Sequence, residues 1–308
     1  MLSRYAEASG DDRPYDLIHL ANSSVSPEAR AVFRLHHRDG DLALKLDLDG
    51  EETGRPAREY QTLTRLMSAF EQNPDVALIA PVWCDPEGLA LITRFVSGPT
   101  ALQAAADDPT TENMTILGQK GALFLNTLHS AEPAEEIGYW PEWVIKRLMD
   151  FTFKTGPRAP QIGAERCREL IQAFRRISDN HRGTACLKTL AHGDFHGGNL
   201  VISEQAVTGL DMTEIRRKLG LYDVVDYLTS VDIQRPDLEQ LSDLGVHPAL
   251  EDAFTQVYTH PLPREVLRCA MLGKWLILTF KITRARHAAY DFQRTKLTRL
   301  LHRIGHMI

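Results

Sequence analysis

The run His192-Gly-Asp194-Phe-His196-Gly-Gly-Asn199-Leu-Val-Ile, followed by Gly209-Leu-Asp211, gathers oxygen-bearing side chains into one short stretch of chain. Leu200–Ser203 and Val207–Leu210 read as two strands three residues apart, hence a hairpin. A turn centred on Gln205 sets Asn199 opposite Asp211 at its open end, and Asp194 lies on the loop entering that end. Two hard oxygen ligands suit Mg²⁺, which keeps waters and takes only one or two carboxylates from a protein. The remaining carboxylate, Asp194, can accept the proton of an attacking hydroxyl. This is the division of labour in phosphoryl transfer, where protein groups mostly position substrates and neutralise charge. An alternative takes His192, Asp194 and His196 as a transition-metal site, which needs further His or Cys ligands that the sequence does not offer at matching spacing.

His-x-Asp-x-x-x-x-Asn is also the spacing of the protein-kinase catalytic loop. The segment HGDFHGGNLVI, with an Asp after a short hairpin, resembles the aminoglycoside phosphotransferase and choline kinase superfamily of small-molecule kinases. Leu221-Tyr-Asp223-Val-Val-Asp226 resembles the Asp-led helix behind that family's metal site, and Leu128-His129-Ser130 resembles its Leu-His pair. The likeness spans residues 20–231 and is tightest over 192–211. It implies an α+β, bilobal, protein-kinase-like fold: a small antiparallel-sheet N-terminal lobe with one main helix, then a larger, mostly helical C-terminal lobe. It implies Asp194 as catalytic base, Asn199 and Asp211 as Mg²⁺ ligands, ATP as donor, and His192, His196 and Asp223 as supports of the loop.

Such a kinase needs a lysine on an inner strand for the α/β-phosphates and a glutamate on the next helix to hold it. Lys45 is the only lysine in the first hundred residues, mid-strand between Leu44 and Leu46, a poor place for an idle charge. Alternation puts those leucines on the opposite face. Glu59, at the start of the following helix, pairs with Lys45. Arg94-Phe95-Val96 reads as the connector between lobes, and by resemblance the backbone of Phe95 and Val96 hydrogen-bonds adenine. The loop Ala21–Pro27 has no glycine, although phosphate-cradling loops usually use it. Ser23 and Ser24 are left to reach the phosphates through side chains.

The elements that must position these residues follow from patterning. Ala31–His36 and Asp41–Leu46 flank the turn signal Arg38-Asp-Gly40. A helix opens at Pro56 with Leu63, Leu66, Met67 and Phe70 on one face, and strands Val76–Ala80 and Leu89–Thr93 follow. Ser97-Gly-Pro99 marks the boundary, giving 1–97 as the nucleotide-binding lobe and 98–308 as the catalytic and acceptor-binding lobe. Asp108 is the expected N-cap of a helix starting at Pro109. Beyond it the hairpin at 200–210 is the only β-like interruption. Tyr139, Trp140 and Trp143, near Glu132, Glu135, Glu136 and Glu142, read either as a cation site or as a packing helix with an acidic face.

Composition fits an ordinary globular chain: 308 residues, 43% hydrophobic, 25% charged. The net charge of −6 marks no nucleic-acid binder. Residues 264–308 carry ten Lys/Arg against two acids, read as solvated faces of terminal helices. The four cysteines lack ligand spacing and read as free thiols. No apolar leader and no membrane-length apolar run is seen, so a cytoplasmic location is expected. The expected partner is a small-molecule acceptor: an amino sugar, amino alcohol, sugar or hydroxy amino acid. No nucleic-acid or membrane partner is expected. A cationic or zwitterionic acceptor would meet the acids of 132–142 or Asp232 and Asp237. Two alternatives stay open, a nucleotide-binding pseudokinase or scaffold without turnover and a protein kinase. The latter lacks an Ala-Pro-Glu segment after Asp211 and room for a long activation loop before Asp223.

Overall fold

The computed structural model describes every residue except 23–25, 50–53, 154–161, 204–205, 234, 237 and 285–290, and leaves out the side chains of 152, 153, 284, 291 and 292. Ser23, Ser24, Gln205 and Asp237 therefore lie outside the described residues. The chain forms two compact units, Met1–Thr100 with Asn199–Arg216, and Ala101–Gly198 with Arg217–Ile308. The segment Asn199–Arg216 thus belongs with the first unit, which a single boundary at 97/98 does not capture. Elements are numbered along the chain.

The first unit is built on a five-stranded sheet, order β1-β2-β3-β6-β5. Its strands are β1 (Asp16–Asn22), β2 (Arg30–His36), β3 (Leu42–Asp47), β5 (Pro81–Cys84) and β6 (Ala90–Arg94). Every described pairing in it is antiparallel. Strand alternation decides its faces. Leu42 and Leu44 of β3 turn to a core with Leu35, Ala90, Ile92 and Tyr5, the last from helix α1 (Leu2–Ser9). Burying each such leucine contributes about 1.5–3 kcal/mol. Lys45 lies on the other face, beneath α2 (Arg55–Phe70), whose buried stripe is Glu59, Leu63, Leu66 and Phe70.

A second sheet of this unit joins β4 (Val76–Leu78), β10 (Val207–Gly209) and β9 (Leu200–Ile202). β10 runs antiparallel to β9 and parallel to β4. The hairpin register differs by one residue from the sequence expectation. Leu200 pairs with Gly209 and Val201 with Thr208, so Asn199 stands opposite Leu210 rather than Asp211. The cause is the turn. Ser203 N–H donates to Ala206 O at 3.2 Å, and Ala206 N–H donates to Ser203 Oγ at 3.1 Å. That closure joins Ser203 to Ala206 and fixes the register of the two strands.

The second unit is mostly helical but carries a sheet that periodicity did not reveal, order β11-β8-β7, from Arg216–Leu219, Ala185–Ala191 and Glu135–Gly138. Glu135–Gly138 is thus strand, not helix. Its central helix is α4 (Thr111–Ser130). The N-cap is Thr110, whose hydroxyl accepts Asn113 N–H, and not Asp108. Asp108 is still tied to the preceding α3 (Ala101–Asp107) through its N–H to Ala104 O at 3.0 Å. α7 (Leu221–Asp232) crosses α4 closely at Gly121, where a Cβ would sit 2.1 Å from the Tyr227 ring. The remaining helices are α5 (Glu142–Phe153), α6 (Gly163–Asp179), α8 (Pro248–Val257), α9 (Arg264–Arg284) and α10 (Asp291–Met307). The basic C-terminal stretch is not simply solvated. Arg303 is buried against Asp232, and Lys274 Nζ donates to Asp226 at 2.5 Å. No helix among the described residues is long and apolar enough to cross a membrane. The four cysteines are free.

Candidate active site

In the first unit, Lys45 Nζ donates to Glu59 Oε2 at 2.6 Å and to Asp211 Oδ1 at 2.7 Å. Three segments distant in sequence meet at this ammonium. β3 supplies the lysine, the first turns of α2 the glutamate, and the chain just beyond β10 the aspartate. Burial disfavours the Lys45 ammonium, but the charges of Glu59 and Asp211 outweigh it and hold its pKa above the ordinary lysine value. Glu59 is 3% exposed, and it also accepts Met212 N–H. Burial pushes its carboxyl up, with Lys45 opposing.

Asp211 has φ 55°, the only left-handed non-glycine among the described residues. Such a conformation costs an ordinary L-residue roughly 1–2 kcal/mol, and Asp and Asn tolerate it best. Thr213 Oγ1 donates to Asp211 Oδ1 at 2.8 Å and so helps hold it there. Asn199 is buried, and its carbonyl accepts Leu210 N–H at 2.9 Å beside Asp211. A carboxylate and an amide oxygen are hard donors, a set that fits Mg²⁺ with phosphate oxygens and waters as the remaining ligands. No group of three His, Cys, Asp or Glu among the described residues could hold a metal by itself. His192, Asp194 and His196 form no such group.

The lysine face of the sheet continues through residues that sequence reasoning missed. Register places Val32 opposite Lys45, Arg34 opposite Ala43, and Ile18 opposite Arg34, all on that face. Arg34 lies over the Phe95 ring at 4.7 Å. Phe95 N–H is engaged by Asp41 O at 3.2 Å. Gly98, φ 137°, lets the chain pass against β9; a Cβ there would lie 2.6 Å from Ile202 O.

In the second unit, residues 192–198 are held from below by α7. The buried Asp223 accepts His192 N–H at 2.6 Å and Gly193 N–H at 3.1 Å, and Ser230 Oγ accepts Gly197 N–H at 2.8 Å. Lys218 Nζ is 3.4 Å from Asp223 and His129 Nε2 is 3.2 Å away. Burial alone would raise the Asp223 pKa, but the His129 hydrogen bond and the Lys218 charge outweigh it and hold it well below the carboxylate range. Phe195 is stacked between Phe124 of α4 and Tyr227 of α7, at 5.2 Å from each. Within the loop, His192 Nδ1 accepts Asp194 N–H at 3.4 Å and His196 Nδ1 accepts Gly198 N–H at 3.0 Å. The Asp194 side chain is 63% exposed. His129, Lys218 and Thr213 carry no spacing signal of their own beyond the Leu-His pair, so the sequence alone could not have singled out the last two.

Four of the acids considered for a cationic acceptor carry protein cations; Glu136 is exposed, and Asp237 lies outside the described residues. Asp232 is buried between Arg235 and Arg303. Glu132 pairs with Arg217 at 3.5 Å, Glu135 with Lys188 at 3.1 Å, and Glu142 with Arg182. Tyr139 is buried, whereas Trp140 and Trp143 are exposed, with Arg182 over the Trp140 ring at 4.8 Å.

No curated protein sequence matches the chain. Solved structures of similar fold include a choline/ethanolamine kinase family protein from Mesorhizobium loti, at 15% identity and TM-score 0.61, covering 100% of this chain and 95% of that one. Amicoumacin kinase hAmiN, at 12% identity and TM-score 0.60, covers 98% of this chain and 92% of its own. A glucosamine kinase, at 15% identity and TM-score 0.58, covers 96% and 80%. At these identities the likeness is one of fold, and the fold is kinase-like. Residues 24–253 match the family model APH, described as the phosphotransferase enzyme family, over most of the chain. The protein therefore belongs to the APH phosphotransferase enzyme family, and it is a phosphotransferase.

Proposed function

We propose that the protein transfers the γ-phosphoryl group of ATP, with Mg²⁺, to a hydroxyl of a small molecule. The observation that carries this reading is the Lys45–Glu59–Asp211 triad, with Asp211 held in a left-handed conformation, in a chain of this family. Lys45 orients the α/β-phosphates, and Glu59 fixes Lys45. Asn199 and Asp211 hold Mg²⁺, which when bound neutralises charge between phosphate oxygens. Asp194 accepts the proton of the acceptor hydroxyl. The backbone at Phe95 and Val96 takes the adenine edge, with Val32 and Ala43 covering the ring. Ser23 and Ser24 take the phosphates through their hydroxyls. His192, His196 and Asp223 hold the loop. Amicoumacin kinase hAmiN was solved with AMP-PNP and Ca²⁺, and the glucosamine kinase with ADP, which supports a nucleotide and a divalent ion here.

A small acceptor is favoured over a protein because Asp211 leads through one helical turn, Met212–Glu214, and β11 straight into α7 at Leu221. No long loop intervenes. A screen over amino sugars, amino alcohols, sugars and hydroxy amino acids, read by ADP release, tests the proposal. Transfer to one of them is expected. Nucleotide binding without transfer to any of them would overturn the proposal.

The occupied acids bear on the acceptor. A cation held by unpaired carboxylates would show a KM that rises steeply with salt, through screening over ~8–10 Å. With Asp232, Glu135 and Glu142 carrying protein cations, the expected response is shallow, less than about threefold between low and high ionic strength with nucleotide saturating. A steep rise would show that a carboxylate outside these pairs binds an acceptor cation.

Lys45→Ala should weaken nucleotide binding and lower turnover, since a charge on the phosphates is lost. Glu59→Gln should do the same more mildly. The double variant should fall short of the summed single effects by about 0.5–3 kcal/mol, because the two groups share one hydrogen bond. Strict additivity, measured by calorimetry of ADP binding, would mean that Glu59 does not act through Lys45.

A further inference from the structure

Tyr258 follows α8 directly, and its N–H closes that helix on Phe254 O at 2.9 Å. It lies beyond residue 253, where the family match ends. Its side chain is buried, with the hydroxyl 2.7 Å from His129 Nδ1. The other ring nitrogen, Nε2, is 3.2 Å from Asp223 Oδ2. Asp223 in turn receives the backbone N–H groups of His192 and Gly193. A line of buried groups thus runs from a hydroxyl on α8's end to the backbone of the loop that carries Asp194.

The chemistry of the line fixes its protons. A neutral imidazole has one N–H and one lone pair. Asp223 already has the Lys218 ammonium as its charge partner at 3.4 Å, so a second buried cation at His129 would be surplus. What Asp223 needs from His129 is a donor. That places the proton on Nε2 and leaves Nδ1 as an acceptor, which a hydroxyl donor satisfies. Burial raises the Tyr258 pKa well above that of an ordinary phenol, so the hydroxyl keeps its proton. With the proton on Nδ1 instead, a lone pair would face a buried carboxylate and the bond to Asp223 would be lost. The ring is also walled in, since a Cβ on Gly220 would come within 3.0 Å of its Cε1 and Nδ1. Outside Tyr258, His260 packs on its ring at 5.4 Å and meets Ser130 Oγ at 3.1 Å.

We propose that Tyr258 is a positioning residue: its hydroxyl fixes His129 in the Nε2–H tautomer and thereby anchors, through Asp223, the loop carrying Asp194. The consequence for turnover rests on the phosphotransferase reading above; the tautomer does not. The test is ¹⁵N-histidine NMR of the full chain at neutral pH, wild type beside Tyr258→Phe. The wild type should show His129 with an N–H resonance on Nε2 and a pyridine-like Nδ1. The variant, which keeps the ring, should lose that single tautomer. Its kcat should fall about tenfold, as when other supporting hydrogen-bond partners are removed, with KM for ATP within about twofold. In a His129→Gln background the same substitution should add nothing. A wild-type His129 protonated on Nδ1 or on both nitrogens, an unchanged tautomer in the variant, or an unchanged kcat would each overturn the proposal. If no acceptor is phosphorylated at all, the phosphotransferase reading fails, while the NMR comparison still decides the tautomer.

Discussion

Asp194→Asn should leave nucleotide binding within about twofold of wild type and cut turnover by ~10²–10⁴-fold, the share that general-base catalysis usually supplies. The expectation rests on how the loop is held. Its anchors are the backbone N–H groups of His192, Gly193 and Gly197, taken by Asp223 and Ser230. The Asp194 backbone also donates to His192 Nδ1, and its carbonyl accepts His196 N–H at 3.0 Å. Neither bond involves the carboxylate, which is 63% exposed and stands 3.9 Å from His196 Nε2. An amide of the same shape leaves these backbone anchors in place and removes the proposed proton acceptor. Melting temperature, calorimetry of ADP binding and ADP release with the identified acceptor check the three parts separately. Wild-type turnover in the variant would remove Asp194 from the role of base.

The Lys45–Glu59 pair was more legible than the scaffold around it. Lys45 and Glu59 could be paired from sequence because a lone lysine in an apolar strand must answer to some charge, and the next helix begins with one acid at the right place. The register of the hairpin could not be read, because the side-chain period of two makes a shift of one residue invisible until the turn is seen. There Ser203 and Ala206 bond to each other, and Asn199 stands opposite Leu210. Asp108 and Thr110 are both good caps. The choice between them was made by α3, which ends only at Asp107 and keeps Asp108 N–H for itself.

The sheet of β7, β8 and β11 escaped notice for a different reason. Glu135–Gly138 and Arg216–Leu219 are short, mostly polar strands flanking one buried neighbour, so neither shows a clean alternation. The burial of Asp232 with Arg303 was equally hidden. Sequence shows an acid and a distant basic helix, and only packing of α10 against the end of α7 turns them into a pair. Long-range ion pairs carry no local signature. For this reason sequence alone does not show that Glu132, Glu135, Glu142 and Asp232 carry protein cations.

Asp211 offers the sharpest separation of metal binding from structure. Its carboxylate accepts from Lys45 and Thr213, and its backbone is left-handed. Alanine removes the carboxylate and also costs roughly 1–2 kcal/mol for that backbone. Asparagine tolerates the conformation and removes only the charge. Asp211→Asn should therefore melt close to wild type, and Asp211→Ala several degrees lower. Both should lose the strengthening of ADP binding by Mg²⁺, and both should lower turnover by a factor on the order of 10³, as when a group stabilising transition-state charge is lost. Calorimetry with and without Mg²⁺ reads the coupling without reference to any acceptor. Should Asp211→Asn keep the full Mg²⁺ effect, the ligand assignment fails, and the carboxylate would be there for Lys45 alone. Should it lose the effect and keep its stability, the left-handed turn beyond β10 exists to present an oxygen to the metal, and the strain it carries is tied to function rather than to folding.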